Sequence, residues 1–256
     1  MEHQLWFTAI LNKLLGGVVT PFLAKIGQAP SDPASPIPNY IAMEILVILL
    51  MVVGVVLLRR RLSVENPGKF QHSVEVVVQF TQDMCAEMIG HQGGRYVAML
   101  GTLGIFIALC NLVGLIPTLQ TPTAHIQVTL GCAVTAFLYY NFQGMRQHGV
   151  IGYLKHLSGP MAAIAIVMFP IEIISNVGRM LSLSVRLYAN MMVGDLLEKV
   201  FGVLVPAAFP HLIGVPVAIL APPVFMGLHV FVSLLQAYIF MLLPAVYISL
   251  AVSEEH

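Results

Sequence analysis

A chain of 256 residues that is 58% hydrophobic and only 9% charged, with mean hydropathy +0.87, carries too little polar surface for a water-soluble domain, since soluble domains run to about 25% charged. Twelve Lys and Arg balance twelve Asp and Glu, so the net charge points to neither a nucleic acid nor an acidic partner. The composition is that of an all-α integral membrane protein.

Residues 5–26, LWFTAILNKLLGGVVTPFLAKI, are interrupted by Asn12 and Lys13 and lack a basic start. They read as an amphipathic segment at the membrane surface, not as a cleavable signal. Residues 27–39 carry Pro30, Pro33, Pro36 and Pro38 and read as a linker. Residues 1–39 are thus expected outside the membrane, with the membrane domain over 40–256. A first span over Tyr40–Leu58 has Glu44 near its start and is stopped by Arg59, Arg60 and Arg61. Three successive arginines mark the cytoplasmic side, which puts the N-terminus outside.

Residues 66–90 mix charge with Val, Phe and Met at helical spacing and are too polar to span, which predicts an in-plane amphipathic helix on the cytoplasmic face. A second span over Tyr96–Ile116 leads through an outer turn, Pro117 to Thr123, into a shorter third span over Ile126–Phe142. The stretch 144–160 carries Arg146 and Lys155 and no acid, and is expected to be a cytoplasmic loop. Residues 161–252 are broken only near PAAFP at 206–210. Two helices of roughly forty residues would each be ~60 Å long, twice the ~30 Å hydrocarbon thickness, so they must tilt or kink. Pro170, Pro222, Pro223 and Pro244 are available for kinks. The expectation is five spans plus the in-plane helix, with the C-terminus cytoplasmic.

Glu172, Ser175, Arg179, Ser182, Arg186 and Asn190 follow one another at steps of 3, 4, 3, 4 and 4. That spacing lays a polar stripe along one face of the fourth span. The serines are open to two readings, because an intramembrane hydroxyl often bonds its own i−4 carbonyl. Arg179 can snorkel or pair with Glu172. Arg186 has no acid three or four residues away, so its partner is expected on another chain. Glu172 falls ~21 Å from Arg186 along the helix, and Asp195 ~13 Å away on the other side. On the last span His229, Ser233, Gln236 and Phe240 share a face, and His229 falls where it can meet Asp195.

Cys85, Cys110 and Cys132 form no CxxC and read as small hydrophobes. The histidines show no HExxH or Cys/His ligand spacing, and neither a Gly-rich phosphate loop nor a serine nucleophile elbow occurs. No metal, cofactor or nucleotide site is expected.

RLYANMMVGDL at 186–196 resembles the signature of the a subunit of bacterial F-type ATP synthases. EIISNVGRMLSLSVR before it, NLVGLIP with TPTA, and LHVFVSLLQAYIFMLLPAVYIS at 228–249 resemble that family too. The likeness runs in order over residues 40–252. It implies a non-catalytic, proton-translocating chain of the bacterial inner membrane that offers two half-channels to a rotating ring of c subunits. Its further partners would be the b subunit of the peripheral stalk, the other synthase subunits and lipid. By resemblance Arg186 faces the ring and Asn190 accompanies it. Asp195, His229 and Gln236 line the outer half-channel, and Glu172 lies on the cytoplasmic exit. The chain departs from the family pattern in three places: Asp195 is shorter than the usual Glu, Met180 replaces a common Pro, and His125 follows TPTA where an acid is frequent. Two rivals stand beside this reading: a secondary transporter or channel with Arg186 as anion site, which repeat symmetry would favour, and a purely structural assembly subunit.

Overall fold

The computed structural model describes residues 4–25, 35–63, 67–116, 118–157, 165–208 and 214–252. In hydrocarbon every backbone N–H and C=O must find its partner within the segment. The described residues accordingly fold into helices, with no strand among them. These are α1 (Trp6–Lys25), α2 (Asn39–Arg61), α3 (Lys69–Ile89), α4 (Val97–Val113), α5 (Ile126–Leu157), α6 (Ala165–Ala208) and α7 (Gly214–Val252). Short 3₁₀ turns at Gly90–Arg95 and Pro122–Ala124 precede α4 and α5.

α1 is latched to the start of α2 by the Asn12 amide, which accepts from the Ile37 N–H at 2.9 Å and donates to the Ile37 carbonyl at 3.1 Å. Most of the predicted linker, 27–34, lies outside the described residues, as do Pro117 and residues 209–210 of the PAAFP break. α2 exposes Leu49, Val52, Val53 and Val56 along its length, as a helix bathed in lipid does, and buries Ala42, Met43 and Val47. α3 ends at Gly90, where φ is +80°, and after the 3₁₀ turn the segment Lys69–Arg95 meets α4 at a 118° bend.

Three stretches are long and apolar enough to cross a membrane: Asn39–Arg61, Ile166–Leu197 and Pro223–Val252. A fourth counts if Lys69–Arg95 and Val97–Val113 form one bent span. The count falls below the expected five for reasons of length and polarity. α4 has 17 residues, which reach ~26 Å against ~30 Å of hydrocarbon. In α5 the apolar run is followed by the polar stretch QGMRQHG.

The expected loop at 144–160 is corrected over 144–157, because helix continues to Leu157; residues 158–160 lie outside the described residues. A single non-helical residue, Gly149 at φ 71°, breaks it. That left-handed conformation suits glycine and returns the chain so that the Tyr153 hydroxyl donates to Asn141 at 2.9 Å. The Tyr153 ring then lies against Gly144, where a side chain would collide with it.

α4, α5, α6 and α7 pack on one another. Their shared core includes Leu103, Ile107, Cys132, Leu187, Met191 and Phe240. Since lipid tails are as apolar as leucine, this burial gains close packing more than removal from water. Polar contacts between helices therefore stand out as the specific ones.

Candidate functional site

On α6, Leu183, Leu187 and Met191 recur at steps of four and are buried, at 3%, 0% and 0% exposure. At 3.6 residues per turn the opposite side must face outward. There Ser182, Val185 and Arg186 are exposed. Leu181, Val185, Met192 and Val193 make that outer surface apolar around the guanidinium. α7 packs beside α6 and exposes Phe231, Leu234 and Leu235. Asn190, one turn beyond Arg186, is half-buried. The predicted stripe is therefore half-buried at Glu172, Ser175 and Arg179, exposed at Ser182 and Arg186, and half-buried again at Asn190.

Toward one end of α6 the polar groups go inward. The Thr121 hydroxyl donates to the Asp195 carboxylate at 3.0 Å. The Thr123 hydroxyl donates to the Asn111 amide oxygen, and the Asn111 amide nitrogen donates to the Ser233 carbonyl at 3.2 Å. Asn111 thus ties α4 to α7 and to the turn Pro122–Ala124, while the flanking Thr121 bonds α6. His229 packs against Gly194, where a Cβ would lie 2.6 Å from the imidazole Nδ1. The backbone beside Asp195 can take the ring only because residue 194 has no side chain. His229 Nε2 and Gln236 Oε1 are buried with no hydrogen-bond partner among the described residues. A buried polar atom without a partner is costly, and these two lie on one face of α7, two turns apart. His125, at the head of α5, stacks on Tyr40 with ring centroids 4.6 Å apart.

Toward the other end, Arg179 and Glu172 pair at 3.3 Å, each about one-third exposed. This decides between the two readings of Arg179: it pairs with Glu172. The guanidinium also lies over the Tyr247 ring, 5.6 Å from its centroid. Tyr140 donates to Asn176 at 2.9 Å nearby on α6. Among the serines, Ser233 is buried and donates to the Met191 sulfur at 3.9 Å, whereas Ser182 is exposed. Cys85, Cys110 and Cys132 are all buried and free. Among the described residues no three His, Cys, Asp or Glu side chains converge as metal ligands would.

A family model described as ATP synthase A chain matches residues 41–249, which include Thr121, Glu172, Arg186, Asp195, His229 and Gln236. The chain belongs to that family. It is 46% identical to ATP synthase subunit a of Koribacter versatilis over 256 residues, the full length of both chains. It is 43% identical to ATP synthase subunit a of Solibacter usitatus over 247 residues, covering 96% of this chain and all of that one. The ATP synthase subunit a 3 of Pelobacter propionicus is 34% identical over the full length of both. Membership makes the chain a membrane component of an ATP synthase, engaged in proton transport for ATP synthesis with other subunits of that enzyme.

Periodicity brings out Arg186, Glu172 and Asp195 but not Thr121, Thr123 or Asn111. Asp195 and Thr121 are 74 positions apart, and Asn111 and Ser233 are 122 apart. The TPTA and NLVGLIP motifs were their only signal.

Proposed function

We propose that the chain is the stator against which a ring of c subunits turns, and that it offers the ring two proton half-channels. On this reading it crosses the bacterial inner membrane five times, with the N-terminus outside, the C-terminus cytoplasmic and α3 in the membrane plane. The b subunit of the peripheral stalk holds it in place.

The observation that carries the reading is the placement of Arg186. An arginine keeps its proton at any working pH and costs about 2.5–3.5 kcal/mol at the centre of a span on insertion scales. Here it stands on an exposed apolar surface of α6 instead of inside the bundle. Such a position suits an acidic partner carried on another apolar surface. A ring carboxylate in lipid is neutral because desolvation raises its pKa, and a guanidinium brought beside it lowers that pKa and releases the proton. The same fixed cation repels a proton crossing directly between the half-channels. Each proton driven across 100 mV yields ~2.3 kcal/mol, so a leak past Arg186 wastes the drive.

Polar groups on opposite sides of Arg186 support the two half-channels. Asp195, His229 and Gln236 serve the outer one, with Asn190 between them and Arg186, and Glu172 serves the cytoplasmic exit. The 118° turn between α3 and α4 supports the in-plane placement of α3.

Cysteine cross-linking within the assembled enzyme tests the ring contact. Val185→Cys, on the exposed face, is expected to form a disulfide with a cysteine placed on the outer helix of the ring subunit. Leu183→Cys, buried on the opposite face, is not. Cross-links formed instead from Leu49→Cys on α2 would contradict the assignment of the ring to α6.

A further inference from the structure

The Asp195 carboxylate takes a hydrogen bond from a residue that helical spacing does not connect to it. Thr121, which precedes the turn Pro122–Ala124, donates through its hydroxyl to Asp195 Oδ1 at 3.0 Å. The threonine is 1% exposed, so water does not compete for that hydroxyl. Its place is made by Gly114, just past the end of α4, where a Cβ would fall on the Thr121 hydroxyl and lie 2.8 Å from the Thr121 Cβ. Gly114 has φ −65°, which any residue adopts, so the backbone does not demand glycine there; the space does.

Three elements thus meet at one oxygen: the end of α4 leaves room, the turn supplies the donor, and α6 supplies the acceptor. A hydrogen bond to an ionised carboxylate is about twice as strong as one between neutral groups. A short Asp side chain has one torsion fewer than Glu, so a single anchored oxygen fixes most of its orientation.

We infer that Thr121 is a positioning residue for Asp195, admitted by Gly114, and that it aims the carboxylate toward the His229 side of the outer path. The inference rests on the half-channel reading of Asp195. Thr121 handles no proton itself; it acts by holding the group that does.

The test uses the complete ATP synthase in inverted membrane vesicles, with ATP-driven acidification rates normalised to assembled enzyme. Thr121→Val keeps the shape and loses the hydroxyl, and is expected to slow acidification at least about tenfold, the low end of what one hydrogen bond to a charged group is worth. Thr121→Ser keeps the hydroxyl and loses the methyl, and is expected to stay within about twofold of the parent, because the donor is retained. A packing role predicts the reverse: a harmless valine and an impaired serine, and that result would overturn the inference. Gly114→Ala, which drives out the hydroxyl, is expected to match Thr121→Val, and a parental rate would overturn the space-making role. Asp195→Asn separates the two levels. If Asp195→Asn is slow while Thr121→Val is not, the positioning role alone fails. A parental rate for Asp195→Asn removes the half-channel reading beneath it.

Discussion

Asp195 and Glu172 lie on the same helix, yet one accepts from a hydroxyl on a distant turn and the other from a guanidinium two turns along its own helix. Around Asp195 the neighbouring polar groups are buried, and two of them, His229 Nε2 and Gln236 Oε1, have no partner among the described residues. Around Glu172 the pair with Arg179 is one-third exposed and backed by the Tyr247 ring. The difference has a physical meaning. Glu172 has a fixed cationic partner on its own helix. Asp195 is instead anchored by a neutral hydroxyl from a distant part of the chain, next to the glycine against which His229 packs. On the proposed reading the Glu172 end releases protons and the Asp195 end takes them up.

The comparison can be broken from either end, and the largest effects are expected at Asp195. Asp195→Ala or His229→Ala alone is expected to slow ATP-driven acidification by about 10²-fold, the low end of what a positioned proton-transfer group contributes. The double variant is expected to fall short of the product of the two, as groups on one path do. Fully multiplicative losses would show that the two residues act independently.

A smaller loss is expected from Gly194→Ala, whose methyl would lie 2.6 Å from His229 Nδ1 and must displace the ring. The loss is expected to be about tenfold, since displacement of a proton-transfer group costs part of what its removal does. Parental rates in Gly194→Ala would show that His229 need not lie against α6.

At the other end the effect is expected to be smallest. Exposed ion pairs contribute about 0–1 kcal/mol, so exchanging the charges in Glu172→Arg with Arg179→Glu is expected to leave assembly intact. Glu172→Gln alone is expected to slow conduction by less than about fivefold, because a partly wetted exit lets water substitute for the acid. A loss as large as that of Asp195→Ala would erase the distinction between the two ends.

How much of this was legible in the sequence follows the range of each interaction. Glu172 and Arg179 sit seven apart on one helix, and their possible pairing could be read from spacing alone. The start of α2 at Asn39 and the lengths of α6 and α7 were legible from their long apolar runs and the breaks around them. The stretch 144–157 was not, because its glycines and charges look like a loop; in the structure it folds back at Gly149 so that Tyr153 packs on Gly144 and bonds Asn141. Thr121 had no signal beyond the TPTA motif, and nothing in the sequence tied it to Asp195. Its partner lies 74 positions away, and only the packing of three elements brings the two together.

The central claim is that Arg186 discharges an acidic group of the ring and blocks direct leakage between the two ends. Arg186→Ala removes a charge that costs free energy in the membrane, and the enzyme is expected to insert and assemble. ATP-driven acidification of inverted vesicles, measured at matched amounts of assembled enzyme, is then the direct measurement. The account predicts no acidification by Arg186→Ala, and none by Arg186→Lys, whose ammonium lacks the planar fork and can lose its proton when desolvated. Normal acidification by an assembled Arg186→Ala enzyme would contradict it.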